Sequence, residues 1–143
     1  MTPSNTLQNV SRIALGLMLC FTGTGHMTWA RAEFVAQLPP WLPFSTDFVV
    51  LASGVVEISL GIALVVWTGK RIMLGWLAAL FFVLIFPGNI SQYVHHIDAF
   101  GLDTDTKRLV RLFFQPVLVV WALWSTGAWR SWYTKRKAAM VTP

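Results

Sequence analysis

The chain has 143 residues, a length typical of one domain, and 55% of them are hydrophobic whereas only 12% are charged. Lipid can receive an apolar surface that a soluble fold of this size could not hide, so the composition excludes an ordinary soluble domain. The net charge of +5 comes without any stripe of interleaved Lys and aromatic residues, which argues against nucleic-acid binding.

Four apolar runs, each close to the ~20 residues that cross a hydrocarbon core of about 30 Å, predict an all-α integral membrane protein built as a four-helix bundle. We expect the first run to be kept as a helix rather than cleaved as a signal peptide, because little more than Arg12 precedes it as a basic region. All four runs belong to a single domain, 1–143, that ends in a basic tail, 130–143. The predicted spans are 13–30, 48–67, 72–90 and 109–129.

The segment between the first two spans is rich in both apolar residues and proline. Pro39, Pro40 and Pro43 forbid a continuous helix across it. We therefore predict a short amphipathic turn that lies in the membrane interface or caps the bundle.

Lys and Arg are distributed unequally between the two sides of the predicted bundle. The side with more of them is expected to face the cytoplasm, which places both termini there. Seven lie on that side and four on the other: Arg12, Lys70, Arg71, Arg130, Lys135, Arg136 and Lys137 against Arg31, Lys107, Arg108 and Arg111.

Glu57 lies near the middle of the second span, and an ionisable group at that depth usually faces the interior of a bundle. Gly54 and Gly61 share its helical face, and small residues at this spacing let a neighbouring helix approach closely. The carboxyl group could be a hydrogen-bonded assembly point or a chemically active group, and the sequence leaves both interpretations open.

Other polar residues enter the spans from the outer side and reach about the level of Glu57. The inner halves carry only Cys20 and a few hydroxyls, so a channel or an alternating-access carrier fits this distribution poorly. We predict a polar pocket open to the outer side. Its residues are His26, Glu57, Asn89, Arg111 and Gln115.

The third span meets Pro87 and Gly88, which we interpret as its end, with Asn89 satisfying the carbonyls that the proline leaves free. Histidine side chains near this end are candidate ligands of a metal or haem. Adjacent residues of a helix point about 100° apart, so the His pair could ligate together only if the backbone turns there. The alternative is a set of interfacial histidines. The candidate ligands are His26, His95, His96 and Asp98.

The sequence resembles the DoxX-like family of small four-helix bacterial membrane proteins, in its uncharacterised branch. The matching stretches are LPPWLPF (38–44), SGVVEISLG (53–61), FPGNISQ (86–92) and RLFFQPVLVVWALW (111–124). GHMTW (25–29) and FPGN depart from the usual pattern by one residue each. The resemblance implies a multi-pass protein of the bacterial inner membrane. It also implies redox partners, because the family name derives from a subunit associated with thiosulfate:quinone oxidoreductase.

Three functions remain open from the sequence. The first is a non-catalytic accessory or anchoring subunit with an outer-side or membrane redox partner, surrounded by lipid and able to form an oligomer. The second is a quinone-linked redox subunit that uses the pocket of Glu57, Gln115, Arg111 and His26, with quinone as the fitting cofactor. The third is binding or transport of a small hydrophobic molecule or a metal ion.

Overall fold

The computed structural model describes residues 3–141, and these residues form six α-helices and no strand, which confirms the all-α prediction. A 3₁₀ turn at Thr68–Lys70 joins the third helix to the fourth. The helices are α1 (Thr6–Met27), α2 (Arg31–Gln37), α3 (Thr46–Val66), α4 (Arg71–Val94), α5 (Asp105–Ser125) and α6 (Ala128–Val141).

Local side chains fix several helix ends. Asn5 and Gln8 form a capping box at the start of α1, and the Thr104 hydroxyl accepts a hydrogen bond from the backbone N–H of Lys107 at the start of α5. The segment predicted as an amphipathic turn contains α2, which stops at Gln37 just before the first proline pair.

The expected end of the third span at Pro87 and Gly88 is wrong, because α4 continues through both residues to Val94. A proline removes one backbone N–H, and a helix packed between neighbours tolerates that loss. A Cβ added to Gly88 would lie 3.6 Å from the carbonyl oxygen of Gln37, so the end of α2 packs on this part of α4.

The predicted fourth span is interrupted near its end. α5 stops at Ser125, and Gly127 adopts a φ of +74°, in the left-handed region that glycine tolerates without a steric cost. The predicted basic tail then forms most of α6. Residues 142 and 143 of that tail lie outside the described residues.

Pairs of glycines bring α1 and α3 into backbone contact. A Cβ added to Gly61 would lie 2.6 Å from the carbonyl oxygen of Gly16, and one added to Gly54 would lie 3.0 Å from that of Gly23. This is the close approach predicted from the glycine spacing. Because the later glycine of α1 meets the earlier glycine of α3, the two helices are antiparallel.

α4 and α5 form the other closely packed pair. Gly75, near the start of α4, faces Thr126, just after α5, so this pair is antiparallel as well. A single hydrophobic cluster receives side chains from both pairs. Its most buried members are Leu15, Leu19, Leu64, Ala78, Ala122 and Ala128, followed by Phe82.

Three segments of the described chain are long and apolar enough to cross a membrane, namely Thr46–Val66, Thr68–Val94 and Asp105–Ser125. α1 is of similar length, with 22 residues, but is not one of them. Its first turns contain Gln8 and Arg12, both of which are buried.

Arg12, which the sequence places in the basic flank before the first predicted span, is buried. Its guanidinium is buried against the end of α3, where it donates a hydrogen bond to the carbonyl oxygen of Leu64. Its Nε has no hydrogen-bond partner. A buried cation therefore lies at this end of α1, next to the predicted first span.

The antiparallel order gives the molecule two distinct ends. We call the end formed by residues 4–12, 67–75 and 124–141 the basic end. The opposite end, formed by residues 28–47 and 95–108, is called the loop end. α2 and the Pro-rich segment that follows it belong to the loop end.

Candidate functional site

Glu57 is buried between α3 and α1, with 5% of the residue exposed. The hydroxyl of Thr22 donates a hydrogen bond to its Oε1. Nε2 of His26 lies 3.3 Å from Oε2, yet the ring is not oriented for a hydrogen bond, and Oε2 has no hydrogen-bond partner. A polar atom buried in this way costs about 1–3 kcal/mol, so a donor placed beside Oε2 would be stabilised.

The surroundings of His26 determine where its ring proton lies. Nδ1 is 2.9 Å from Oγ of Ser53 and 3.4 Å from the carbonyl oxygen of Val50. Because the Ser53 hydroxyl already donates to that carbonyl, both neighbours accept and Nδ1 carries the hydrogen. In a neutral ring, Nε2 is then an acceptor and faces the Glu57 carboxylate, which is also an acceptor, so the two repel each other. A proton on either group would remove this repulsion.

Aromatic side chains from the loop end cover this pair. The ring centroid of Phe34, on α2, lies 3.5 Å from that of His26, and the ring of Phe100 lies 4.7 Å beyond Phe34. Position 34 is thus the contact through which α2 closes the site.

A second polar cluster joins α4 to α5. Nδ2 of Asn89 donates to Oε1 of Gln115 at 2.9 Å, and Nη1 of Arg111 lies 3.3 Å from the same oxygen. Nε2 of Gln115 donates to the carbonyl oxygen of Phe82 at 2.6 Å. The expected role of Asn89, to satisfy carbonyls freed by Pro87, is therefore wrong, because its amide nitrogen bonds to a side chain of α5.

Two further glutamines connect α2 to the end of α4. Nε2 of Gln37 donates to Oε1 of Gln92 at 2.6 Å, and Nε2 of Gln92 donates to the carbonyl oxygen of Ala99 at 3.1 Å. Both glutamines are buried. Their hydrogen bonds hold α2 and the loop around Ala99 against the end of α4.

A cavity of about 220 Å³ lies between these groups, bounded by α2, the Pro-rich segment, α3 and α4, with one residue each from α1 and α5. Its polar wall comes from His26, Gln37, Ser53, Asn89 and Arg111, whereas Glu57 and Gln115 lie behind that wall. Arg111 and Glu57 interact electrostatically, which couples the two polar clusters. The apolar wall includes Phe34, Leu38, Trp41, Leu42, Val49, Leu84 and Ile85.

The four candidate metal ligands are not brought together. His26 belongs to the buried site, His95 at the end of α4 contacts Ser91 of that helix, and His96 pairs with Asp105 at 2.8 Å. Asp98 forms an ion pair with Arg108. Over residues 3–141 there is no group of three or more His, Cys, Asp or Glu side chains that could hold a metal ion.

Thr22, Ser53 and Gln37 also belong to the site, although none of them was predicted from the sequence. Thr22 lies four residues before His26, and Ser53 lies four residues before Glu57, so helical spacing would have placed each on the correct face. Gln37 carries no such signal, because its partner Gln92 belongs to a distant helix.

Comparisons with known proteins identify a family without an assigned activity. No curated protein and no solved structure matches the chain. The family described as "Domain of unknown function (DUF8561)" matches residues 15–126, which contain every residue of the site and exclude α6. Because this match covers more than half of the chain, the protein belongs to the DUF8561 family.

Proposed function

We propose that this chain is a multi-pass protein of the bacterial inner membrane, in which α1, α3, α4 and α5 form a four-helix bundle with both termini in the cytoplasm. The three strongly apolar segments and the glycine contacts that seat α1 along α3 support this arrangement. The excess of Lys and Arg at the basic end supports the orientation. The DoxX-like resemblance supports the same architecture.

Within the bundle, the chain acts as an accessory subunit that holds a small amphipathic molecule in the cavity at the loop end. The observation that carries this proposal is the buried Oε2 of Glu57, which has no hydrogen-bond partner although His26 lies beside it. A purely structural carboxyl group would be expected to have both oxygens bonded.

The walls of the cavity define the chemical class of the ligand. The polar head must meet His26 and Arg111, and the tail must lie against aliphatic side chains such as Leu42 and Ile85. A quinone meets both requirements, because its carbonyl oxygens accept hydrogen bonds from a guanidinium. The hydroxyls of its reduced form can donate towards the His26–Glu57 pair.

The proposal is tested by measuring quinone bound to the purified full-length chain. The protein is incubated without oxygen with excess ubiquinol, the reduced form whose hydroxyls can donate to Glu57, and is repurified. The quinone-to-protein ratio is determined by mass spectrometry of an organic extract. We expect a ratio near one for the natural sequence. Glu57→Gln should lower the affinity about tenfold or more, because it removes a charged acceptor, for which about 1.5–3 kcal/mol is typical.

Asp103→Asn is the matched control, since it also removes one carboxylate, from an exposed residue of the loop end. It should leave the ratio unchanged. Quinone binding that is equal in the natural sequence and in E57Q would contradict the proposal, as would the absence of any retained amphipathic molecule.

A further inference from the structure

Cations at the loop end are paired with carboxylates. The hydrogen bond from Lys107 also holds the pKa of Asp103 below its usual value, which keeps that carboxylate ionised. The surface charge of this end is therefore locally balanced. The pairs are Arg31 with Asp47, Lys107 with Asp103, and Arg108 with Asp98 and Asp105.

The basic end has a different charge pattern. α6 carries four cations, and the sequence contains no Asp or Glu after Asp105. Among the residues that the structure describes, no ion pair joins an α6 cation to a carboxylate. The four cations are Arg130, Lys135, Arg136 and Lys137.

Aromatic side chains accompany these cations. Trp129 and Trp132 lie 5.9 Å apart between ring centroids, and the guanidinium of Arg136 lies 5.2 Å from the ring of Trp132. Trp129 is 59% exposed. Exposed tryptophans and Lys or Arg on one short helix are the composition of a helix that lies at a membrane interface.

A groove of about 380 Å³ lies beside the start of α6, where it meets α1 and α5. Its walls are mainly apolar and include Val120, Leu123 and Trp124, and Arg130 is its cation. Nε2 of Gln8 donates to the carbonyl oxygen of Trp124 at 3.0 Å and so closes one side. The groove thus combines apolar walls with the positive charge of Arg130.

We infer that α6 and this groove form a binding site for anionic phospholipid at the basic end. An acyl chain lies in the groove against Leu123 and Trp124, and the phosphate contacts Arg130. Lys137 lies seven residues after Arg130 on the same helical face and adds to the attraction. This inference needs the chain to be embedded in a membrane but is independent of the ligand proposed for the loop end.

Native mass spectrometry of the full-length protein in detergent tests the inference. The protein is titrated with dioleoyl phosphatidylglycerol or dioleoyl phosphatidylcholine, which share acyl chains and differ in charge. The natural sequence should retain more phosphatidylglycerol. Arg130→Gln with Lys137→Gln should lower that preference about tenfold, because each interfacial cation contributes roughly a fivefold factor at most.

The matched control neutralises two exposed cations of the loop end, Arg31→Gln with Lys107→Gln, and should keep the preference. Arg130→Lys should also keep most of it. Circular dichroism establishes that each variant keeps the helix content of the natural sequence. Equal retention of the two lipids would overturn the inference, and so would equal loss in the variant and the control. A dimer that depends on α6, without lipid preference, would instead identify a second copy as the occupant and would also overturn it.

Discussion

Alanine at position 61 tests the contact on which the proposed bundle depends. The added Cβ would lie 2.6 Å from the carbonyl oxygen of Gly16 and 2.9 Å from the backbone nitrogen of Cys20. Backbone atoms cannot rotate away as a side chain can, so α1 must move from α3 by several tenths of an ångström. That movement would also separate Thr22 and His26 from Glu57.

The magnitude follows from two opposing contributions. Overfilling a packed interface costs about 1–3 kcal/mol, and the rigid backbone contact places this substitution in the upper part of that range. Alanine is favoured over glycine inside a helix by up to about 1 kcal/mol. We expect Gly61→Ala to lower the free energy of unfolding by about 2 kcal/mol.

The assay is unfolding of the purified protein in mixed micelles with increasing sodium dodecyl sulfate, followed by loss of helical circular dichroism. Gly88→Ala is the matched control, because its added Cβ would meet only a carbonyl oxygen at 3.6 Å, an ordinary contact. The free energy of unfolding of G88A should equal or exceed that of the natural sequence. If G61A is as stable as G88A, the backbones of α1 and α3 are not in contact and our reasoning is wrong.

Two other predictions concern the α4–α5 cluster and the orientation. Gln115→Leu should lower the free energy of unfolding by about 2 kcal/mol, because Asn89 and Arg111 lose their shared acceptor. Ser59→Ala is the control, because it removes only an exposed hydroxyl. It should change the free energy of unfolding by less than about 0.5 kcal/mol in the same titration. If the Gln115 variant has the same free energy of unfolding as the natural sequence, the cluster does not stabilise the fold. Green fluorescent protein at the carboxyl terminus should fluoresce, and alkaline phosphatase inserted at 100–104 should be active, whereas the reverse pattern would refute cytoplasmic termini.

Helical periodicity was sufficient to predict much of the buried site. The spacing of Gly54, Glu57 and Gly61 correctly indicated a face turned towards a neighbouring helix. Arg111 and Gln115, both assigned to the predicted pocket, lie four residues apart on one helix and contact each other. These successes share a cause, since residues on one helix have a relative geometry that the sequence determines directly.

The failures arose where tertiary contacts override local preference. Pro87 reads as a helix end, yet packing by α2 and α5 keeps α4 helical through it. The sequence places Arg12 beside the first span but does not reveal its burial, because the carbonyl acceptor comes from the end of α3. The same limit applies to Gln37, whose partner is 55 residues away.

The division of the helices into two tight pairs has a mechanical consequence. The cavity lies at the seam between the α1–α3 pair and the α4–α5 pair, and the short turn at Thr68–Lys70 ties the pairs together at the basic end. Any separation of the pairs must therefore pivot about that turn and widen at the loop end. The Gln37–Gln92 hydrogen bond spans the side that would widen, so it would have to break before the pairs could separate there.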